Sequence, residues 1–142
     1  MLSLAAIFFC LNLVGFGQGA TCECESMLLS STGGLANEWP IFMNTWILDT
    51  VEYDGHPQYR CDECFGARKV LIWLEDRWSI VDCNPDNSEG CQGVHEFVRS
   101  PRVPTGTCLW DVQGEWEYCD GEISVSCSHW SKDSSVQFTC TE

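Results

Sequence analysis

The sequence predicts a mainly β protein, a small antiparallel disulfide-rich β-sandwich or partly open barrel. Three observations carry that expectation. Short runs rich in Trp, Val, Ile and Thr are broken every few residues by Gly, Pro, Asn and Asp, the punctuation of strands and turns. Helical periodicity is scarce. The chain of 142 residues also holds 11 cysteines, a density typical of small secreted domains stapled by disulfides.

Residues 1–20 contain no Asp, Glu, Lys or Arg. Their apolar run, Leu2 to Phe16, is short for a bilayer span and is followed by Gly15, Gly17, Gly19 and Ala20. That order, apolar segment then small residues, is the order of a cleavable signal peptide. Cleavage near Gly19 or Ala20 removes Cys10 and leaves an even set: Cys22, Cys24, Cys61, Cys64, Cys83, Cys91, Cys108, Cys119, Cys127 and Cys140. An even number fits complete oxidation, although the sequence does not fix the pairing. Residues 21–142 then form one disulfide-stapled β domain, whose core is too small to be comfortable without covalent support.

The formal net charge is -14. Such a chain is repelled by phosphate backbones, which argues against nucleic-acid partners. No second apolar segment is long enough for a membrane span. The acids are spread along the sequence and read as a solubilising surface. Extracellular proteins or glycans are the partners left open, and the oligomeric state is not legible.

The strands follow in order. Residues 42–53 (FMNTWILDTVEY) predict a long strand with room for a bulge, ending at the Asp54-Gly55 turn signal. Residues 69–81 (KVLIWLEDRWSIV) predict a hairpin turning at Glu75-Asp76, which sets Trp73 opposite Trp78 and Leu71 opposite Ile80 on one face. Glu-Asp is a poor dipeptide for a tight two-residue turn, so a looser turn is also open. Residues 83–91 (CNPDNSEGC) read as a polar loop closed by a Cys83–Cys91 bridge, and residues 100–106 as a Pro-bearing connection. Two further hairpins are expected. One turns at Gln113-Gly114 and sets Cys108 opposite Cys119; the other turns at Asp120-Gly121 and sets Tyr118 against Ile123 and Trp116 against Val125. A last strand is expected over residues 135–140, and residues 30–37 (SSTGGLAN) look loose.

Asp54-Gly55-His56-Pro57-Gln58-Tyr59 resembles the N-G-x-P-x-Y motif of an uncharacterised secreted module found in extracellular proteins. In that module an apolar strand and then R-W-x-I follow, to which residues 70–74 and Arg77-Trp78-Ser79-Ile80 are similar. Its G-x-W-x-V strand resembles residues 106–112, which carry one extra residue. The resemblance spans about Trp46 to Cys127. It implies a fold and an extracellular location but no reaction, with Gly55 supplying a turn and Tyr59, Trp73, Trp78 and Trp110 filling a core.

Candidate chemistry is sparse. Cys61-Asp62-Glu63-Cys64 has zinc-knuckle spacing, but its CxC companion Cys22/Cys24 is a weak second half, and disulfides suit a signal-bearing chain better. Asp82, Asn84, Asp86, Asn87 and Glu89 begin like an EF-hand loop, yet Asn87 stands where Gly is needed and Gly93 where the bidentate Glu belongs. A looser Ca²⁺ site at Asp82, Asn84, Asp86 and Glu89 is what remains. His95-Glu96 lacks the second His of a metalloprotease helix. No sequence feature marks a catalytic residue, and no cofactor is expected. Of the seven Trp, Trp39, Trp46 and Trp130 are the least constrained by the strand pattern and are candidate platforms for a sugar ring or a partner's apolar anchor.

The expected function is therefore a secreted, non-catalytic extracellular binding or structural module of unknown ligand. A secreted effector, venom-like protein or enzyme inhibitor is the alternative, and would need a rigid exposed loop between disulfides. A small secreted hydrolase is a second alternative, and would need a cleft joining a His to an acid or Ser.

Overall fold

A computed structural model describes residues 22, 24–61, 63–64, 69–83, 95–124 and 126–141. The expected signal segment, residues 1–20, and the residues between Cys83 and His95 lie outside the described residues. Nine strands run in chain order: β1 Ser26–Ser30, β2 Thr45–Tyr53, β3 His56–Cys61, β4 Lys69–Leu74, β5 Arg77–Asp82, β6 His95–Arg99, β7 Trp116–Cys119, β8 Trp130–Asp133 and β9 Gln137–Thr141. They form one antiparallel sheet in the order β8-β7-β6-β5-β4-β3-β2-β1-β9, curled into a half-barrel. The protein is mainly β, and the partly open barrel is the form it takes.

Hydrophobic alternation explains the curl. Met27, Leu29, Trp46, Tyr59, Leu71, Trp73, Trp78, Ile80, Val98, Trp116 and Phe138 all point into one cluster on the concave side. Burying an aromatic or aliphatic side chain of this size contributes roughly 1.5–3 kcal/mol. A sheet that buries so many on one face closes around them. Leu35 of the short helix α1, Gly34–Glu38, and Phe42 of the 3₁₀ turn Pro40–Phe42 add to the same cluster. A smaller cluster of Val70, Ile72, Val81 and Cys83 sits on the other face, with Tyr53 packed against it.

The β4–β5 hairpin has the register read from the sequence, Trp73 opposite Trp78 and Leu71 opposite Ile80. Its turn is a tight one. Glu75 and Asp76 both take left-handed backbone angles, φ 48° and 64°, and Leu74 pairs directly with Arg77. Such angles disfavour non-glycine residues by about 1–2 kcal/mol each. External bonds offset this: the Arg102 guanidinium donates to the Glu75 carbonyl at 3.1 Å, and the Val103 N–H donates to the Asp76 carbonyl at 2.9 Å. At Asp54-Gly55 the turn also has positive φ at both residues, 50° and 72°, as the turn signal implied.

Other expectations need correction. The strand expected from Phe42 begins at Thr45, because Pro40 starts a 3₁₀ turn and the Asn44 side chain accepts the Thr45 N–H at 2.7 Å. The strand is nevertheless bulged, between Leu48 and Glu52. Residues 30–37 are not loose; they hold the end of β1 and the start of α1.

The two hairpins expected after Cys108 do not form among the described residues, which exclude Val125: Trp116 faces Asp133 and Tyr118 faces Ser131. Cys108 bridges Cys22, which carries residues 109–111 into a 3₁₀ turn instead of a strand. Cys119 bridges Cys127, and β7 pairs with β8 in the register Trp116–Asp133 to Cys119–Trp130. Ile123 makes only an isolated bridge to Cys127. The alternation that suggested the hairpin is present in the sequence, but β7 pairs with β6 and β8 instead.

Further disulfides join Cys24 to Cys140 and Cys61 to Cys64. Cys83 is also disulfide-bonded; the expected Cys83–Cys91 pairing involves a residue outside the described ones. No helix among the described residues is long and apolar enough to cross a membrane.

Candidate functional site

The strands β8 and β9 are consecutive in the chain yet occupy opposite edges of the sheet. Residues 134–136 carry the chain from one edge to the other, and no ladder closes the barrel there. The result is a seam. It is bridged by side chains, with Trp116 of β7 packed on Phe138 of β9 at 5.3 Å between centroids, and by the 3₁₀ turn Leu109–Asp111 lying beside β9.

A groove of about 260 Å³ opens along this seam. One side is Leu109, Trp110, Val112, Gln113, Gly114 and Trp116; the other is Ser134, Val136, Gln137, Phe138 and Thr139. None of these eleven residues is ionisable, in a chain with 28 charged side chains and a net charge of -14. Leu109, Trp116, Val136 and Phe138 are buried behind it, and the surface the groove exposes is mainly polar. Trp110 is half-buried, and Gln113, Ser134, Gln137 and Thr139 are exposed.

Two features fix the groove's walls. The Cys22–Cys108 bridge anchors the residue that precedes the 3₁₀ turn. On the opposite wall, Asp133 organises the connection between the edges. Its carboxylate accepts hydrogen bonds from the Ser31 hydroxyl at 2.7 Å, the Ser135 N–H at 2.8 Å, the Ser135 hydroxyl at 2.6 Å and the Leu35 N–H at 3.0 Å. Burial acts to raise the Asp133 pKa, but the hydrogen bonds from Ser135, Ser31 and Leu35 outweigh it and hold the carboxyl below its ordinary value. The groups flanking the groove are thus held without lending it charge.

A second, more open depression of about 350 Å³ is lined by Arg77, Arg102, Lys132, Glu115 and Glu117, with Ser100 and Pro101. Its charges are largely spent on each other and on neighbours. Lys132 pairs with Glu115 at 3.3 Å, Arg102 with Asp76 at 3.9 Å, and Glu117 with Arg99 at 2.6 Å.

Asp120 gathers the Ser131 hydroxyl on one oxygen and the His129 ring on the other. The Ser131 and His129 hydrogen bonds hold the Asp120 pKa below its ordinary value. Here the carboxylate is the hub, and the hydroxyl donates to it and not to the imidazole. A nucleophilic Ser needs the reverse connection, hydroxyl to base.

Of the candidate platforms, Trp39 and Trp130 are half-buried, as Trp110 is, and Trp46 is buried. Trp46 is fully buried, with its indole N–H donating to the Phe42 carbonyl at 3.2 Å. Trp39 packs on Phe42 and Phe97 and donates to the Cys119 carbonyl at 2.6 Å. Trp130 is covered by the Arg99 guanidinium, 3.9 Å from its ring. Trp46 is thereby a core residue, while Trp39 and Trp130 keep part of their surface exposed. The aromatic facing an open groove is Trp110, expected in the core and found at its margin, packed partly against it. Its signal was the run Cys108-Leu109-Trp110-Asp111, in which a Trp beside an acid is a poor core position.

Of the Ca²⁺ candidates, Asp82 is held by Lys69 at 2.8 Å through Oδ2, while Asn84, Asp86 and Glu89 lie outside the described residues. Among the described residues no group of three or more His, Cys, Asp or Glu side chains could hold a metal ion.

No family model, curated protein or solved structure matches the chain.

Proposed function

We propose that the protein is a secreted, non-catalytic extracellular binding module that takes its ligand in the seam groove, and that the part of the ligand seated there is uncharged. The observation that carries the reading is the lining, a preformed concavity of mainly polar surface with no ionisable residue among those that line it. Sites for small ligands are concave and carry a few placed polar groups that set orientation. At about 260 Å³ the groove falls just below the size that holds a drug-sized ligand, about 300–1,000 Å³, so it suits a ring-sized group.

Secretion is supported by the leader-like residues 1–20, the even cysteine count beyond them and four disulfides among the described residues. The kinship with the N-G-x-P-x-Y module belongs to the same proposal and points to the same compartment.

The test is a panel of immobilised extracellular proteins and glycans, probed with the oxidised protein and with a Ser134→Trp variant that fills the groove from an exposed position. Saturable binding by the first and none by the second is the expected result. Binding that survives the substitution places the site elsewhere and overturns the reading.

A further inference from the structure

The four bridges among the described residues differ in how their sulfurs are placed. Three of them join a buried cysteine to a less buried one: Cys108 to Cys22, Cys24 to Cys140 and Cys119 to Cys127. The buried members are 6%, 4% and 0% exposed. Cys61–Cys64 is different, since neither of its cysteines is buried. Both sit at the rim of the main cluster, packed partly against it, and exposed Glu63 stands between them in sequence.

Thiol–disulfide exchange needs access to one sulfur and a second sulfur able to leave as a thiolate. At the other three bridges, attack on the more accessible sulfur expels a thiolate from a buried cysteine, and burial disfavours that charge. At Cys61–Cys64 the leaving cysteine has access to water whichever sulfur is attacked. The fold also survives the cut. Cys61 stays paired with Trp46, Arg60 with Ile47 and Tyr59 with Leu48. On their other side, Tyr59 and Arg60 are held by Leu71 and Val70 of β4. The loop that this bridge closes is the shortest of the four, a separation of 3 against 8, 86 and 116. Opening it therefore releases the least restriction of the unfolded chain.

We infer that Cys61–Cys64 is a site of reversible thiol–disulfide exchange that takes a dithiol as its reductant, in a fold that the other bridges keep. It is independent of the seam groove. A reductant thiolate attacks Cys64 Sγ, which lies in an exposed contact 3.3 Å from the Ile41 carbonyl oxygen. A bond forms between the reductant sulfur and Cys64 as the Cys61–Cys64 bond breaks. The Cys61 sulfur leaves with the electron pair and takes a proton from water. The second thiol of the reductant then gives up its proton and attacks the reductant sulfur of the mixed disulfide, and Cys64 leaves as a thiolate and is protonated in turn. The protein gains two electrons and two protons, and the dithiol ends as a disulfide. The reverse reaction, with a disulfide as oxidant, closes the bridge again.

Partial reduction of the intact oxidised protein tests this. Dithiothreitol is applied at mildly alkaline pH without denaturant, free thiols are trapped with N-ethylmaleimide at intervals, and their positions are read by peptide mass mapping. The first two thiols are expected at Cys61 and Cys64, appearing about tenfold faster than any other pair. The species that carries them should keep the near-ultraviolet circular dichroism of the oxidised protein. Replacing the reductant with glutathione disulfide should remove both thiols. A Cys61→Ala/Cys64→Ala variant should show the same spectrum and lack the fast phase; the wild-type mapping decides the matter without it. Any other bridge that opens first, or at an equal rate, overturns the inference. So does loss of the native spectrum with the first two thiols, or a fast phase that persists in the double variant.

Discussion

The indole of Trp116 and the phenyl ring of Phe138 meet at 5.3 Å with their planes inclined by 38°, joining strands near the two ends of the sheet that no backbone ladder joins. Closed barrels remove their edges by hydrogen bonding. Here a ring contact takes that role at one level and leaves room for a groove beside it. Phe138→Ala removes a nearly buried ring and should lower stability by about 3–5 kcal/mol. Equilibrium denaturation in urea measures this, and a loss within error of zero would show that the edges do not depend on the contact.

Asp133 gives the seam a pH dependence of defined sign. Its folded pKa lies below the ordinary value, so the unfolded chain binds more protons in the interval between the two. The stabilisation is therefore complete above the unfolded value, about 3.9, and is lost as pH falls through the folded one. Thermal melts between pH 7 and pH 2 should show the wild type losing stability over this interval. Asp133→Asn should be less stable at pH 7 and show a shallower fall, and identical slopes would refute the assignment.

The disulfides should differ in worth by the length of chain that they close. Cys24–Cys140 spans a sequence separation of 116 and Cys61–Cys64 one of 3. Restriction of the unfolded chain makes the first worth about 3 kcal/mol more than the second. Paired Cys→Ala substitutions at each bridge, compared by denaturant midpoint, test the difference, and equal losses would count against it.

Arg99 covers Trp130 and pairs with Glu117 at 2.6 Å and Glu96 at 3.8 Å. Arg99→Gln should uncover the indole and increase iodide or acrylamide quenching of tryptophan fluorescence. A stability loss of about 0.5–2 kcal/mol is expected. Unchanged quenching would mean that another group shields Trp130.

Local signals were legible where neighbours in sequence are neighbours in space. The β4–β5 register follows from four apolar side chains that must share a face, and Asp54-Gly55 marks its own turn. The seam was not legible. It depends on Cys22 reaching Cys108 across a separation of 86 and on β9 pairing with β1, long-range choices that local alternation does not encode. The alternation after Trp116 pointed to a hairpin with residues 122–126 because nothing local ranks that partner below β8. The same distance dependence hid the site. Trp39, Trp46 and Trp130 lacked a role in sequence because their partners, among them Phe97, Cys119 and Arg99, are remote. Trp110 was given a core role by its place in a strand that does not form.

The Cys24–Cys140 bridge also has a mechanical consequence. Cys140 lies on β9 and Cys24 two residues before the start of its neighbour β1, where Met27 pairs with Cys140. A tensile load applied at Cys24 and Cys140 would pass through one covalent link and leave the β-sheet unstretched. The groove would keep its shape under traction, and the protein would act as an inextensible joint until a reductant cut that bond.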